Sequence, residues 1–180
     1  MNSLNKLQDS RKIFKNKNVT TSSLYNESKK ELEIKRLMRE LVIDASVVLK
    51  WHFPDEEGNA QAFLIFELFT QNNLKHSAPD LLDYEVFNAF PVASRKKWIG
   101  KNDLQRLLDH YTGIEIEKMN INNFIELALQ ITVDCSRNFY DSSYLSLAQM
   151  KKIPLITDDK KLFNAVQKNF EYISWIDDFQ

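Results

Sequence analysis

From residue 41 onward the chain alternates short apolar runs with amphipathic stretches. Leu41-Val42-Ile43-Asp44-Ala45-Ser46-Val47-Val48 opens as a β-branched run of strand type with one carboxylate set into it. A short helix over Val47 to Phe53 is expected to end at Pro54, and Asp55, Glu56 and Glu57 then precede an apolar helix over Ala60 to Phe69. Phe63, Phe66 and Phe69 recur there at helical spacing, as core residues do. His76-Ser77-Ala78 reads as a strand, with Pro79 in the first turn of a helix that runs from Asp80 to Phe90. Leu81, Leu82, Glu85, Asn88 and Ala89 share one face of that helix, which puts two polar residues in an apolar stripe. Pro91 is expected to kink or end it.

Further along, Asn102 or Asp103 starts a helix that reaches about Tyr111, and Ile114-Glu115-Ile116 alternates as a short strand. Ile121 to Val133 reads as an amphipathic helix, and Arg137 opens another that reaches about Met150. Asp141, Tyr144, Leu145 and Ala148 lie on one face of the latter. Ile153 to Thr157 is a buried-type strand closed by Asp158-Asp159, Lys161–Val166 is a last helix, and Glu171 to Trp175 is an edge strand. Strands that alternate with helices in this way predict an α/β fold: a central, mainly parallel sheet with helices on both faces.

The 180 residues suit one domain with a tail. Residues 1–37, rich in Asn, Ser, Thr and Lys, form the expected N-terminal extension, disordered or partly helical, and residues 38–180 the expected domain. No apolar run approaches the ~18 residues of a membrane span. The first 40 residues hold no signal-peptide core, and Cys135 is alone, so no internal disulfide and no Cys-based zinc site can form. The expectation is a cytoplasmic protein. Gly58, Gly100 and Gly113 are the only glycines, so neither a dinucleotide-binding loop nor a P-loop can be written. Residues 1–39 carry ten Lys or Arg against four Asp or Glu, while the rest carries fourteen against twenty-one. The expected domain is therefore no generic basic nucleic-acid binder, and a phosphodiester handled there would need divalent cations to supply positive charge.

Four acids then stand out: Asp44, Glu85, Asp141 and Asp159. Each has an ordinary structural use. Asp44 can cap the next helix, Asp141 can sit in a first turn, and Asp159 can serve a turn. Glu85 is harder to place, because a Glu on an apolar stripe is rarely left unpaired. Two of the four follow strands and two lie on inward helix faces, so a doubly wound sheet can bring them to one edge. Crowded carboxylates repel unless a cation is shared, and an all-oxygen site suits Mg²⁺ or Mn²⁺.

Four segments in this order and spacing resemble the PIN-domain nucleases, most closely the VapC-type toxins of bacterial toxin–antitoxin pairs. They are Val42-Ile43-Asp44-Ala45-Ser46; Pro79-Asp80-Leu81-Leu82 leading to Glu85 and Asn88; Phe139-Tyr140-Asp141 with Tyr144-Leu145-Ser146-Leu147-Ala148; and Ile156-Thr157-Asp158-Asp159 with Leu162. The resemblance runs from about Met38 to Phe179. It implies a PIN-like three-layer α/β/α sandwich and a metal-dependent endoribonuclease. Asp44, Glu85, Asp141 and Asp159 would be its catalytic and metal-holding acids, with Mg²⁺ or Mn²⁺ as the ion. Ser46 would be a nearby hydroxyl, and Asn88 would steady Glu85 or line the site. It further implies an RNA substrate, cleavage that leaves a 5′-phosphate and a 3′-hydroxyl, a homodimer, and an antitoxin partner. Pro91 and the extension depart from the family's usual pattern. Lys96, Lys97 and Arg137 are candidates for holding phosphates. A haloacid-dehalogenase-type phosphatase would need a second acid where Ser46 stands, and a receiver domain would give Glu85 no role. The remaining rival is a catalytically silent PIN-like module that binds RNA or protein.

Overall fold

The centre of the sheet is built from residues that cannot face water on either side. The computed structural model describes residues 39–53, 59–100 and 102–179. Strand β1, Arg39–Ile43, carries Leu41, Val42 and Ile43, all buried, and so reads as a continuous apolar run rather than an alternating one. It pairs in parallel with β2, Leu74–Pro79, on one side and with β4, Leu155–Thr157, on the other. β3, Glu117–Met119, extends the sheet beyond β2, and β5, Ile173–Trp175, beyond β4. The order is β3-β2-β1-β4-β5 with every pair parallel. Parallel neighbours need helical crossovers, which is why the amphipathic stretches lie between the strands. No helix among the described residues is long and apolar enough to cross a membrane.

Helices cover both faces. On one side lie α1, Ala45–Lys50, α2, Asn59–Thr70, α3, Leu81–Arg95, and α4, Asp103–Thr112. Across the sheet α5, Ile125–Asp134, packs on α6, Phe139–Lys151, and α6 itself touches β1, β2 and β4. α7, Lys160–Val166, links β4 to β5. This is the three-layer α/β/α sandwich. α6 is buried from Ser142 through Ala148, as expected of a helix enclosed on nearly every side. Its serines permit that close packing. Ser143 donates to the carbonyl of Phe139 at 2.7 Å and Ser146 to that of Ser143 at 2.9 Å.

Neighbouring residues of β2 serve opposite faces, as the strand period requires. The His76 ring stacks between Phe69, 4.6 Å away, and Trp51, 5.5 Å away. Ser77, on the other face, joins a polar knot with Glu40 of β1, Glu117 of β3 and Lys151 of α6. Lys151 Nζ donates to Glu40 at 2.5 Å and to Ser77 Oγ at 2.7 Å, and Ser77 donates to Glu40 at 2.8 Å. Burial works against the Glu40 charge, but the bonds from Lys151 and Ser77 outweigh it and hold its carboxyl below the usual range. The knot ties three adjacent strands to the helix that covers them.

Several local expectations need correction. Pro79 closes β2 instead of opening a helix, because its carbonyl-side neighbour Asp80 already bonds to Met119 across the sheet, at 3.0 Å. Pro91 lies inside α3, which continues to Arg95. It sits on the exposed side, where water can satisfy the freed carbonyl, while Phe90 and Ala93 hold the helix to the core. The buried stripe of α3 is Leu82, Val86, Phe90 and Ala93; Glu85 flanks it and Asn88 is exposed. β3 begins at Glu117, not at Ile114, because Ile116 N–H bonds back to the Ile114 carbonyl at 3.0 Å and bends the chain. The stretch read as one helix over Ile121 to Val133 breaks at Phe124, after a single 3₁₀ turn capped by Asn120. The helix after β1 starts two residues early and stops at Lys50. The extension over residues 1–37, Met38 as a start, and Asp55, Glu56 and Glu57 all lie outside the described residues.

His76 is 1% exposed, and neither ring nitrogen has a hydrogen-bond partner among the described residues. Burial pushes its imidazole down to about 3 from the ordinary 6.5. The folded chain thus keeps His76 neutral where the unfolded chain takes a proton. Its contribution to stability is complete above 6.5 and is lost as pH falls toward 3. By about pH 4.5 the loss is roughly 2–3 kcal/mol. Denaturant unfolding at neutral pH and at about pH 4.5 should show that His76→Phe, which keeps the stacked ring, loses less stability on acidification than wild type. An equal loss in both would refute the assignment.

Candidate active site at the carboxyl ends of the strands

The sheet order reverses between β1 and β4, so the crevice beyond their carboxyl ends is where an open α/β sheet binds ligands. Asp44 follows β1 and Asp158-Asp159 follow β4. The ladder brings them to one edge. Val42 pairs with Leu155 and Ile43 with Ile156, and Asp44 N–H continues the pattern to the Ile156 carbonyl at 3.1 Å.

Asp44 occupies the N-cap position of α1, yet its side chain makes no capping bond. It turns instead to two hydroxyls: Thr157 donates to Oδ2 at 2.5 Å and Ser46 to the same oxygen at 2.8 Å. Both hydroxyls are fixed from β4's end, by Asp159 N–H to Thr157 Oγ1 and Asp158 N–H to Ser46 Oγ, each 3.0 Å. Asp44 is 7% exposed. Burial raises it above the usual carboxylate range, the two hydroxyl bonds oppose that, and the charges of Asp159 and Asp141 raise it further. Glu85 of α3 is half-buried and accepts the Tyr144 hydroxyl at 2.5 Å. Burial drives its carboxyl up to about 7; the Tyr144 bond lowers it, and the charges of Asp44 and Asp141 add to the rise. Tyr144 lies one turn beyond Asp141 on α6, so one helix face carries both the charge and the donor that steadies Glu85.

Asp141 and Asp159 also do structural work. Asp141 Oδ2 accepts Arg137 Nη2 at 2.6 Å and Nε at 3.0 Å, and Asn138 Nδ2 at 3.1 Å, while Asn138 caps α6 by accepting Asp141 N–H. Asp159 caps α7, its Oδ1 accepting Lys161 N–H at 2.7 Å and Leu162 N–H at 3.1 Å. Among the described residues no three His, Cys, Asp or Glu side chains are grouped so as to hold an ion as they stand. The donor chemistry nonetheless fits a hard divalent cation. Each acid gives one oxygen to protein donors and leaves the other without a protein partner among the described residues: Asp44 Oδ1, Glu85 Oε1, Asp141 Oδ1 and Asp159 Oδ2. Asp44 bears the charges of Asp159 and Asp141, and Glu85 those of Asp44 and Asp141.

No family model matches the chain, and no curated protein matches its sequence. A solved structure does match: that of PAE2754 from Pyrobaculum aerophilum, 18% identical, with a TM-score of 0.53, covering 79% of this chain and 86% of that one. The likeness is one of fold.

The other candidates divide. Ser46 is in the site, as the hydroxyl between Asp44 and Asp158. Asn88 is exposed and lines an outer cleft of about 530 Å³ with Leu81, Tyr84, Glu85 and Tyr140. Arg137 is committed to Asp141. Sequence reasoning missed Thr157, whose signal was a hydroxyl two residues before an acid at a strand end. It also missed Lys50, buried and 3.0 Å from Asp158, and the Arg137–Asp141 pair, visible as an i,i+4 spacing. The Tyr144→Phe substitution removes only a hydroxyl. It should cost about 1–2 kcal/mol in urea unfolding at neutral pH, with the fold kept. No change would mean that the Tyr144–Glu85 bond carries no weight.

Proposed function

We propose that this chain is a metal-dependent endoribonuclease that hydrolyses RNA phosphodiester bonds, acting as the toxin of a type II toxin–antitoxin pair in the cytoplasm. The observation that carries the reading is Asp44. A carboxylate buried where the sheet order reverses makes no helix cap, is aimed by two hydroxyls, and bears the repulsion of Asp159 and Asp141. Repulsion of that kind costs stability, and a merely structural Asp would have taken the cap that lay open to it.

Asp44, Glu85, Asp141 and Asp159 would hold Mg²⁺ or Mn²⁺, which when bound lowers the barrier to water attack on phosphorus and offsets charge on the departing oxygen. Thr157 and Ser46 fix the rotation of the Asp44 carboxyl, and their own anchoring to Asp159 and Asp158 couples that rotation to the end of β4. Tyr144 holds Glu85 at the rim of the outer cleft, where Tyr84 and Tyr140 are exposed. Arg137 neutralises Asp141 and Lys50 lies against Asp158, which limits the repulsion the fold must bear. An antitoxin and a second copy of the chain are the partners this reading entails, on the strength of the resemblance in sequence pattern.

Purified full-length protein incubated with single-stranded RNA and Mg²⁺ or Mn²⁺ should cleave it, and EDTA should stop the reaction. Asp44→Asn should reduce the rate at least about a hundred-fold with an unchanged circular dichroism spectrum. Cleavage retained by Asp44→Asn would overturn the site. Metal-indifferent binding without cleavage by wild type would leave the silent RNA-binding module instead.

A further inference from the structure

The end of α3 remote from Glu85 carries a second concave surface, on which the proposed cleavage chemistry does not depend. Arg95 lies ten residues beyond Glu85, about 15 Å along the helix axis. The helix closes there with paired bonds of the Schellman type: Lys97 N–H to the Ser94 carbonyl at 3.1 Å and Trp98 N–H to the Ala93 carbonyl at 3.0 Å. Lys97 takes the left-handed position, φ 61°, where glycine is the default residue. Those two bonds fix the backbone at Lys97 and Trp98. With Arg95, Arg106 and Asp103 they surround a depression of about 720 Å³, and His52 lies against it from the core.

Two features of this depression point to a ligand. Three cations stand against one carboxylate, and that carboxylate is occupied by Gly100 N–H at 3.0 Å and Arg106 at 3.3 Å. Arg95 and Lys97 have no carboxylate partner among the described residues, whereas Arg106 is paired with Asp103. Trp98 is 61% exposed, with Lys96 Nζ 4.5 Å from its ring centroid, which covers one face and leaves a flat aromatic surface beside the cations. His52 floors the depression; it is 7% exposed, and its Nε2 is itself buried and has no hydrogen-bond partner among the described residues.

We infer that this depression is a binding site for single-stranded nucleic acid, with Arg95, Lys97 and Arg106 taking backbone phosphates and Trp98 stacking on a base. Phosphate-binding cations beside an exposed aromatic ring are the combination that single strands use, since every base has a flat face and every link a charge. A duplex keeps its bases stacked inside and offers Trp98 nothing to stack on. The site lies on a domain whose overall charge is negative, so its attraction is local.

The test is fluorescence anisotropy of the full chain with a labelled single-stranded RNA of about a dozen nucleotides, in EDTA and over a salt series. Arg95→Ala combined with Lys97→Ala should weaken binding at least about tenfold and flatten the slope of log affinity against log salt by about 1.4. Trp98→Ala should weaken binding at least about fivefold with the slope unchanged, and Arg106→Ala, on a different helix, should flatten the slope by about 0.7. Heat melting of each variant checks the fold. Unchanged affinity and slope in the double variant and in Arg106→Ala would overturn the inference. So would slope changes without any effect of Trp98→Ala, together with equal binding of duplex or heparin, which would mark a general polyanion surface. EDTA removes any cleavage, so binding is read apart from it. A chain that binds through this surface but never cleaves would sink the nuclease reading and leave this one standing.

Discussion

The structure turns on the burial of one negative charge. Asp44 ends the central strand, with apolar residues behind it and other carboxylates in front, and a bare carboxylate in such a place would favour its protonated form. Two hydroxyl donors make its presence tolerable: Ser46 from two residues along the same segment, and Thr157, which reaches it only because β1 pairs in parallel with β4. That pairing sets Thr157 opposite Asp44 and leads the chain on to Asp158 and Asp159, whose amides in turn hold the two hydroxyls. The ladder, the carboxylate and the following helix cap are thus one connected set of bonds. A register slip of one residue would point Thr157 to the other face and leave Asp44 without its nearest donor.

The rest of the core keeps that register. On one face of β2 the knot of Lys151, Glu40, Ser77 and Glu117 ties β1, β2 and β3 to α6 through directional bonds, which tolerate no slip. On the other face His76 is clamped between Phe69 and Trp51, and Trp51 Nε1 donates to the Ala62 carbonyl at 2.9 Å, joining α1's end to α2. The two faces are held by different forces, one polar and one aromatic, and both act on the same strand. α6 then carries the constraint to the crevice, since the helix that holds Lys151 at its C-terminal end holds Asp141 and Tyr144 near its start.

How far this could be read from the sequence differs by residue. The central strands were legible because burial on both faces leaves unbroken apolar runs, and the long helices because their apolar positions recur at 3 and 4. The sandwich followed from their alternation. Edges were less legible: β3 is short and half-exposed, so Glu117-Lys118-Met119 carries no apolar signal, while Ile114 and Ile116 do and lie in a bend. Pro91 misled because a proline rule assumes that the lost bond matters, and on the wet side of α3 it matters little. At the site, Asp44 and Glu85 could be picked out as charges in apolar surroundings. Their partners could not, because Thr157 and Tyr144 reach them across 113 and 59 residues of chain. A hydroxyl beside an acid at a strand end, as at Thr157, is a weak signal in a sequence; only the fold says which carboxylate it serves.

Charge is also ordered along α3, and helix physics explains only part of it. A cation in the last turn, such as Arg95, suits the partial negative charge at a helix C-terminus, so its position alone argues nothing beyond stability. Lys97 is different. It lies past the helix in a left-handed conformation that a β-carbon makes costly, and it forms no ion pair among the described residues that would offset the cost. Glycine or asparagine there would close the helix with less strain. Trp98 repeats the pattern, because a large ring left mostly in water forgoes the burial that makes aromatic residues stabilising. Lys152 takes the same left-handed position at the end of α6, φ 56°, so the conformation alone is an ordinary helix ending; it is the pairing of Lys97 with an exposed Trp98, fixed side by side by the same capping bonds, that the inferred strand-binding role would use.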